Sequence, residues 1–167
     1  MNKKLVDAIN AQIKNEFYSA FLYLAMASYA ADEELLGFEA WLLAQAAEEQ
    51  LHATKFVNYL HERGERAVIK GFNDPKNDYT SILEVFESAL EHEKFVTSKI
   101  NELMHIAHDE RDYASVNFLN WYIDEQVEEE ASFATIINKL KMVASSPVGL
   151  YQLDKEVGGR PVASITA

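Results

Sequence analysis

A Glu-x-x-His step, Glu49-Gln50-Leu51-His52, stands on the apolar face of a long stretch with helical periodicity. Residues three apart on a helix project to one side about one turn apart, so this carboxylate and imidazole can share a metal ion. Three other long stretches each place a carboxylate inside their own apolar row. Glu16 continues the row Ile9, Ile13 toward Ala20; Glu93 lies in the row Phe86, Leu90, Thr97, Ile100; Glu129 lies in the row Tyr122, Gln126, Phe133, Ile136. Taking one unpaired carboxylate out of water costs several kcal/mol. Four such intrusions at mid-helix depth need compensation, and divalent cations supply it. Oxygen ligands with a single imidazole suit iron or manganese better than copper, and carboxylates can bridge two cations. The pattern therefore points to a two-metal centre. Glu16, Glu49 and His52 would hold one cation, and Glu49, Glu93 and Glu129 the other. Glu49 and Glu129 are the expected bridges, with Gln126 a weaker or outlying partner. A single Glu on a helix seam is more often a rim residue, and an isolated Glu-x-x-His arises by chance. The coincidence of four carries the reading.

The elements that must position these residues are all helical. Apolar spacing of three and four predicts helices over about 3–31, 35–63, 80–107, 112–143 and 147–157. The first stripe is Leu5, Ile9, Ile13, Ala20, Leu24 and Ala27. Gly64 is a stop signal for the second helix, Ser81-x-x-Glu84 a capping box for the third, and Ser146-Pro147 an N-cap followed by Pro at the first helical position. Short connections make the first and second helices one antiparallel hairpin and the third and fourth another. Residues 65–79, with Gly71, Asn73, Asp74, Pro75 and Asn77, read as a loop. Extended, such a loop reaches roughly 50 Å, longer than the roughly 43 Å of the second helix. It can therefore run the length of a bundle. The expected fold is all-α: one domain over 1–167, a ferritin-like four-helix bundle with one long crossover and a short fifth helix.

Composition narrows the partners. The net charge of −12 argues against nucleic acid and anionic membrane. The absence of cysteine removes disulfides, thiolate metal sites, iron–sulfur clusters and a Cys nucleophile. The N-terminus has no apolar signal core, and the longest uncharged run, Phe17 to Ala31, is too short to span a bilayer. A cytoplasmic location is the expectation.

Over essentially its whole length the chain resembles the prokaryotic non-haem ferritins. The resemblance is carried by Glu16 with Tyr23, by EEQLH at 48–52, by HE at 92–93 and by WYIDEQVEEE at 121–130. Where related di-iron bundles have a second Glu-x-x-His on the fourth helix, this chain has Gln126-x-x-Glu129. That departure points toward ferritins with a leaky second iron position. The resemblance implies ferroxidase activity: two Fe(II) bind, O2 or hydrogen peroxide oxidises them, and Fe(III) passes to a mineral inside a hollow shell. It also implies a third iron position at Glu48, Glu125, Glu128 and Glu129, for which the alternative is a solvated acidic face. It implies that Tyr23 hydrogen-bonds near the iron pair, against the alternative of an ordinary core tyrosine. It further implies a homo-oligomeric 24-mer, since one chain supplies the whole ligand set, unlike the dodecameric miniferritins. In ferritins the fifth helix lines a four-fold axis, and Leu150, Tyr151, Leu153 and Val157 need an apolar partner. Bacterioferritins hold haem through a Met just after the helix-B Glu; Gln50 stands here, and no haem is expected.

The remaining histidines, His61, His92, His105 and His108, lack a consistent inward phase and read as surface or helix-end residues. Trp121 reads as packing or as a neighbour of the pair. Two other functions compete. A di-iron or di-manganese redox enzyme would want a second histidine on the fourth helix. A bundle that only binds a partner would want apolar residues at Glu16, Glu93 and Glu129.

Overall fold

The computed structural model describes residues 1–161; residues 162–167, the end of the expected domain span, lie outside the described residues. Five helices follow in order: α1 (Lys3–Asp32), α2 (Leu36–Glu62), α3 (Ile82–Asp109), α4 (Tyr113–Val143) and α5 (Pro147–Val157). The expected elements are present, with ends shifted by a residue or two. At α3 the shift has a local cause. Ser81 is the N-cap, its side chain accepting from the Glu84 backbone N–H at 3.1 Å. The returning Glu84 carboxylate accepts from the Thr80 N–H at 2.6 Å and the Thr80 hydroxyl at 2.7 Å. The cap thus clamps the residue before it, and the helix begins at Ile82 instead of Thr80.

The crossover runs along α1. The Val68 N–H donates to the Asn10 side chain at 2.6 Å, Phe72 packs edge-on against Tyr18 and Phe21, and Tyr79 meets Tyr29. Asn10, Tyr18, Phe21 and Tyr29 mark successive levels of α1, so the loop carries the chain from one end of the bundle to the other. Helices α2 and α3 therefore run in the same direction, and α1 and α4 oppose them. Two apolar clusters fill the interior. One holds Leu5, Ile9, Ile13, Phe56, Ile100 and Tyr122; the other holds Tyr23, Phe38, Trp41, Phe86 and Phe133. On each of the four long helices the carboxylate found in the sequence falls between the two clusters. Each helix thus delivers its polar residue to one level of the bundle.

Leu24 departs from the expected stripe: it is 50 % exposed, while Leu22, Tyr23 and Met26 are buried. Glu16, Ala20 and Ala27 keep the inward row, and between Ala20 and Ala27 it is Tyr23, one residue before Leu24, that takes the inward place.

Helix α5 caps another helix. The α2 N-cap, Leu35, has no side-chain cap hydrogen bond. Asp154 supplies it from α5, its Oδ1 accepting from the Gly37 N–H at 2.9 Å and the Phe38 N–H at 3.0 Å. A carboxylate at a helix N-terminus is favoured by both the free N–H groups and the dipole. The approach is so close that a Cβ on residue 37 would lie 1.7 Å from the Asp154 carbonyl oxygen. Gly37→Ala is therefore expected to lift α5 off α2 and to destabilise the protein at the upper end of the ~1–3 kcal/mol of overpacking; thermal melting with parallel Asp154→Ala checks it. Part of the apolar face of α5 finds its partner within the same chain: Leu153 and Val157 are buried, while Tyr151 stays 63 % exposed.

Candidate metal centre

Glu16 from α1, Glu49 and His52 from α2, Glu93 from α3 and Gln126 and Glu129 from α4 are all buried, none more than 5 % exposed. One ligand atom each of Glu16, Glu49 and His52 lie within 4.8 Å of one another, and the same holds for Glu49, Glu93 and Glu129. Glu49 belongs to both groups. A third group joins His52, Glu125 and Glu129. His52 links the groups by its two nitrogens: Nδ1 lies 3.4 Å from Glu49 Oε2, and Nε2 lies 3.9 Å from Glu125 Oε1.

The carboxyls of the cluster are raised together. Burial, reinforced by the Glu49 charge, pushes the Glu16 carboxyl well above the ordinary range. Burial and the Glu93 charge do the same to Glu49; burial and the charges of Glu49 and Glu93 do it to Glu129. Glu93 is also raised by burial, although hydrogen bonds from Tyr23 and Gln126 pull the other way. Glu16 Oε2 is buried with no hydrogen-bond partner. An orphaned buried carboxylate oxygen is costly in a folded protein, and a cation in the Glu16–Glu49–His52 group would satisfy it.

Neighbouring amides aim the carboxylates, and two of them carried no functional signal in the sequence. Gln12 donates to Glu16 Oε1 at 2.8 Å. Gln45 donates through one nitrogen to Glu49 Oε1 at 3.1 Å and Glu129 Oε2 at 2.7 Å. Both glutamines lie four residues before a site carboxylate, one helical turn away, which is the pattern that could have found them. Gln126, expected as a weak ligand, donates to Glu93 Oε2 at 3.0 Å, and the Glu93 carbonyl and Thr97 hydroxyl lie within reach of the same nitrogen. Tyr23 donates from its hydroxyl to Glu93 Oε1, with its ring stacked on Phe133. Burial and the Glu93 charge raise the Tyr23 phenol well above its usual value, so it stays a donor.

The residues expected at a third iron position are only partly assembled. Glu125 and Glu129 join His52, but Glu128 faces solvent, and the Glu48 carboxylate is held by Arg160. Trp121 packs edge-on to His52 and carries the Lys55 ammonium 3.7 Å above its ring. His92 corrects the surface expectation. Its Nε2 is 2.7 Å from the Ser19 hydroxyl, its ring lies against Tyr18 and Tyr23, and burial lowers its pKa to about 4. Position 92 faces neither the site nor open solvent but the seam between α3 and α1, which one-helix periodicity does not resolve.

The chain matches the ferritin-like domain family over residues 6–143. It is 42 % identical over 160 residues to the bacterial non-heme ferritin of Staphylococcus saprophyticus, covering 96 % of each chain, and equally identical to that of Staphylococcus aureus strain MRSA252. Among solved structures it superposes on the open-pore ferritin of the hyperthermophilic archaeon Archaeoglobus fulgidus with a TM-score of 0.95, at 43 % identity and over 96 % of this chain and 99 % of that one. A humanized archaeal ferritin gives a TM-score of 0.97 at 43 % identity, over 98 % and 99 % of the two chains. With the bundle, the crossover and the carboxylate-lined interior, these similarities place the chain in the ferritin family of iron-storage proteins.

Proposed function

We propose that this chain is a ferroxidase that oxidises Fe(II) at the buried Glu/His centre and passes Fe(III) to a mineral inside a protein shell. The observation that carries the reading is the pair of ligand groups sharing Glu49, with Glu16 Oε2 left unpartnered beside them. Fe(II) enters as substrate. Glu16, Glu49 and His52 bind one ion; Glu49, Glu93 and Glu129 bind the second, and Gln126 stands next to the second position. Each Fe(II) gives up one electron. O2 takes both with two protons and leaves as hydrogen peroxide; with peroxide as oxidant, the same electrons and protons yield two waters. Four buried carboxylates and a histidine favour the higher charge of Fe(III) during the step. A second position with no histidine of its own holds its product loosely, as storage requires.

Glu125 and Glu129 carry the third position in this reading, beside the His52 ring, whose one metal-binding nitrogen is committed to the first ion. Glu48 and Glu128, which the resemblance adds to that position, lie at its margin. Tyr23 fixes Glu93 and is placed to supply an electron. The working form is a 24-mer, the protein acts in the cytoplasm, and neither nucleic acid nor membrane is a partner. The charge of −12 supports the exclusion of nucleic acid and anionic membrane; among the described residues no helix is long and apolar enough to cross a membrane.

The test mixes iron-free protein with excess Fe(II) in air, follows ferric absorbance and then sizes the product. The expected outcome is rapid oxidation with hundreds of irons retained in a large soluble particle. Two irons per chain in a dimer, with no mineral, would replace the storage reading with that of a small-substrate redox enzyme.

A further inference from the structure

The stretch after α5 returns to the centre. Arg160 lies three residues past the end of α5, and its guanidinium sits 4.3 Å above the Trp41 ring. One of its nitrogens donates to Gln45 Oε1 at 2.8 Å and another to the Glu48 carboxylate. Gln45 is wholly buried and its nitrogen already serves Glu49 and Glu129, so its oxygen needs a donor, which Arg160 supplies. Stacking, an amide contact and an ion pair hold the guanidinium in one place. A planar fork with several donors is suited to that in a way a lysine is not. The Arg160 and Glu48 side chains are only 22 % and 14 % exposed. Glu48 is thereby kept out of the His52–Glu125–Glu129 group, although it precedes Glu49 on α2.

We propose that Arg160 is a tethered cation that occupies Glu48 and so withholds it from the third metal position, keeping that position weak. The proposal rests on the ferroxidase reading of the adjacent pair. With His52 committed to the first ion, a cation at the third position is left with Glu125 and Glu129 unless it displaces the guanidinium. Weak binding there suits an ion in transit between the pair and the mineral, and the anchor for Arg160 is α5, which Asp154 pins to the start of α2. Arg160 touches no reacting atom in this account; it sets how many carboxylates the third position can use.

The experiment is calorimetric titration of the full-length, iron-free assembly with Zn(II), which binds without redox chemistry. Wild-type protein is expected to take up two Zn(II) per chain tightly and a third weakly. Arg160→Gln is expected to leave the two tight sites in place, which also shows that the variant folds, and to tighten the third by about tenfold, the order expected for one carboxylate freed at a partly solvated site. Adding Glu48→Gln to Arg160→Gln should remove the gain. A third site unchanged in Arg160→Gln, or a gain that survives the double substitution, would overturn the role of Arg160 while leaving the pair intact. Loss of the two tight sites from the wild-type titration would instead overturn the reading of the pair on which the proposal stands.

Discussion

Glu49→Gln is expected to slow the initial oxidation of Fe(II) by more than about a hundredfold while leaving the iron-free protein as stable as wild type or more so. Glu49 is common to both ligand groups of the pair, so removing its charge weakens both positions together. Loss of an outer-shell partner alone typically costs about 10–100-fold in metal affinity or activity; loss of a shared ligand exceeds that. Stability moves the other way. The Glu49 carboxyl is buried beside Glu93 and Glu129, and its pKa is raised first by burial and then by the Glu93 charge. A neutral amide of the same shape is relieved of both costs. Stopped-flow ferric absorbance and thermal melting of the iron-free protein check the two halves. A variant that oxidises iron at the wild-type rate would refute the assignment. One that melts well below wild type would mean that Glu49 contributes to the fold in a way the buried charge does not explain.

The second large effect is a dependence of stability on pH that a divalent cation abolishes. Glu16, Glu49, Glu93 and Glu129 all have carboxyls raised above the usual value near 4.5, chiefly by burial. A carboxyl raised in the native state binds more protons there than in the unfolded chain. Stability therefore falls as pH climbs from the unfolded value toward the native one. His92 acts in the opposite sense, because burial lowers it from 6.5 to about 4 and its neutral ring costs stability as pH drops through that interval. The hydrogen bonds that hold Glu84 at about 2 fail only at still lower pH. Above pH 6.5 His92 is neutral in both states and no longer opposes the carboxylates. In chelated buffer the melting temperature should fall as pH rises above about 6.5, with 1 kcal/mol shifting a domain of this size by about 2–4 °C. Saturating Zn(II) should flatten or reverse the slope, because a bound cation keeps the carboxylates ionised and its binding tightens as protons leave. A flat profile without metal would show that the carboxylate cluster is not held at a desolvated level of the bundle.

Much of this centre could be read from one-dimensional pattern because a helix converts spacing into direction. Steps of three and four put Glu16, Glu49, His52, Glu93, Gln126 and Glu129 on inward faces, and the lengths of the connections gave the hairpins and the crossover. The same rule fails where two faces are nearly equivalent. Leu24 lies outside the core because its neighbour Tyr23 takes the inward place, and His92 lies in a seam rather than at the surface. The amides that aim the ligands lay on the inward rows all along, but spacing alone does not separate a glutamine that orients a carboxylate from one that fills space.

Contacts between residues far apart in the chain have no such periodic signal. Asp154 caps α2 across 117 residues of chain to Gly37, and Arg160 reaches Glu48 across 112. Whether a third-site carboxylate is free or paired depends on where α5, remote from it in the sequence, docks and on the chain that leaves that helix. Local hydrophobic periodicity determined which residues of this protein face inward and at what level they meet. Packing of α5 against α2 determined which of the acidic residues there keep their charge available to a metal, because an ion pair forms only when folding brings two particular side chains within a few ångströms.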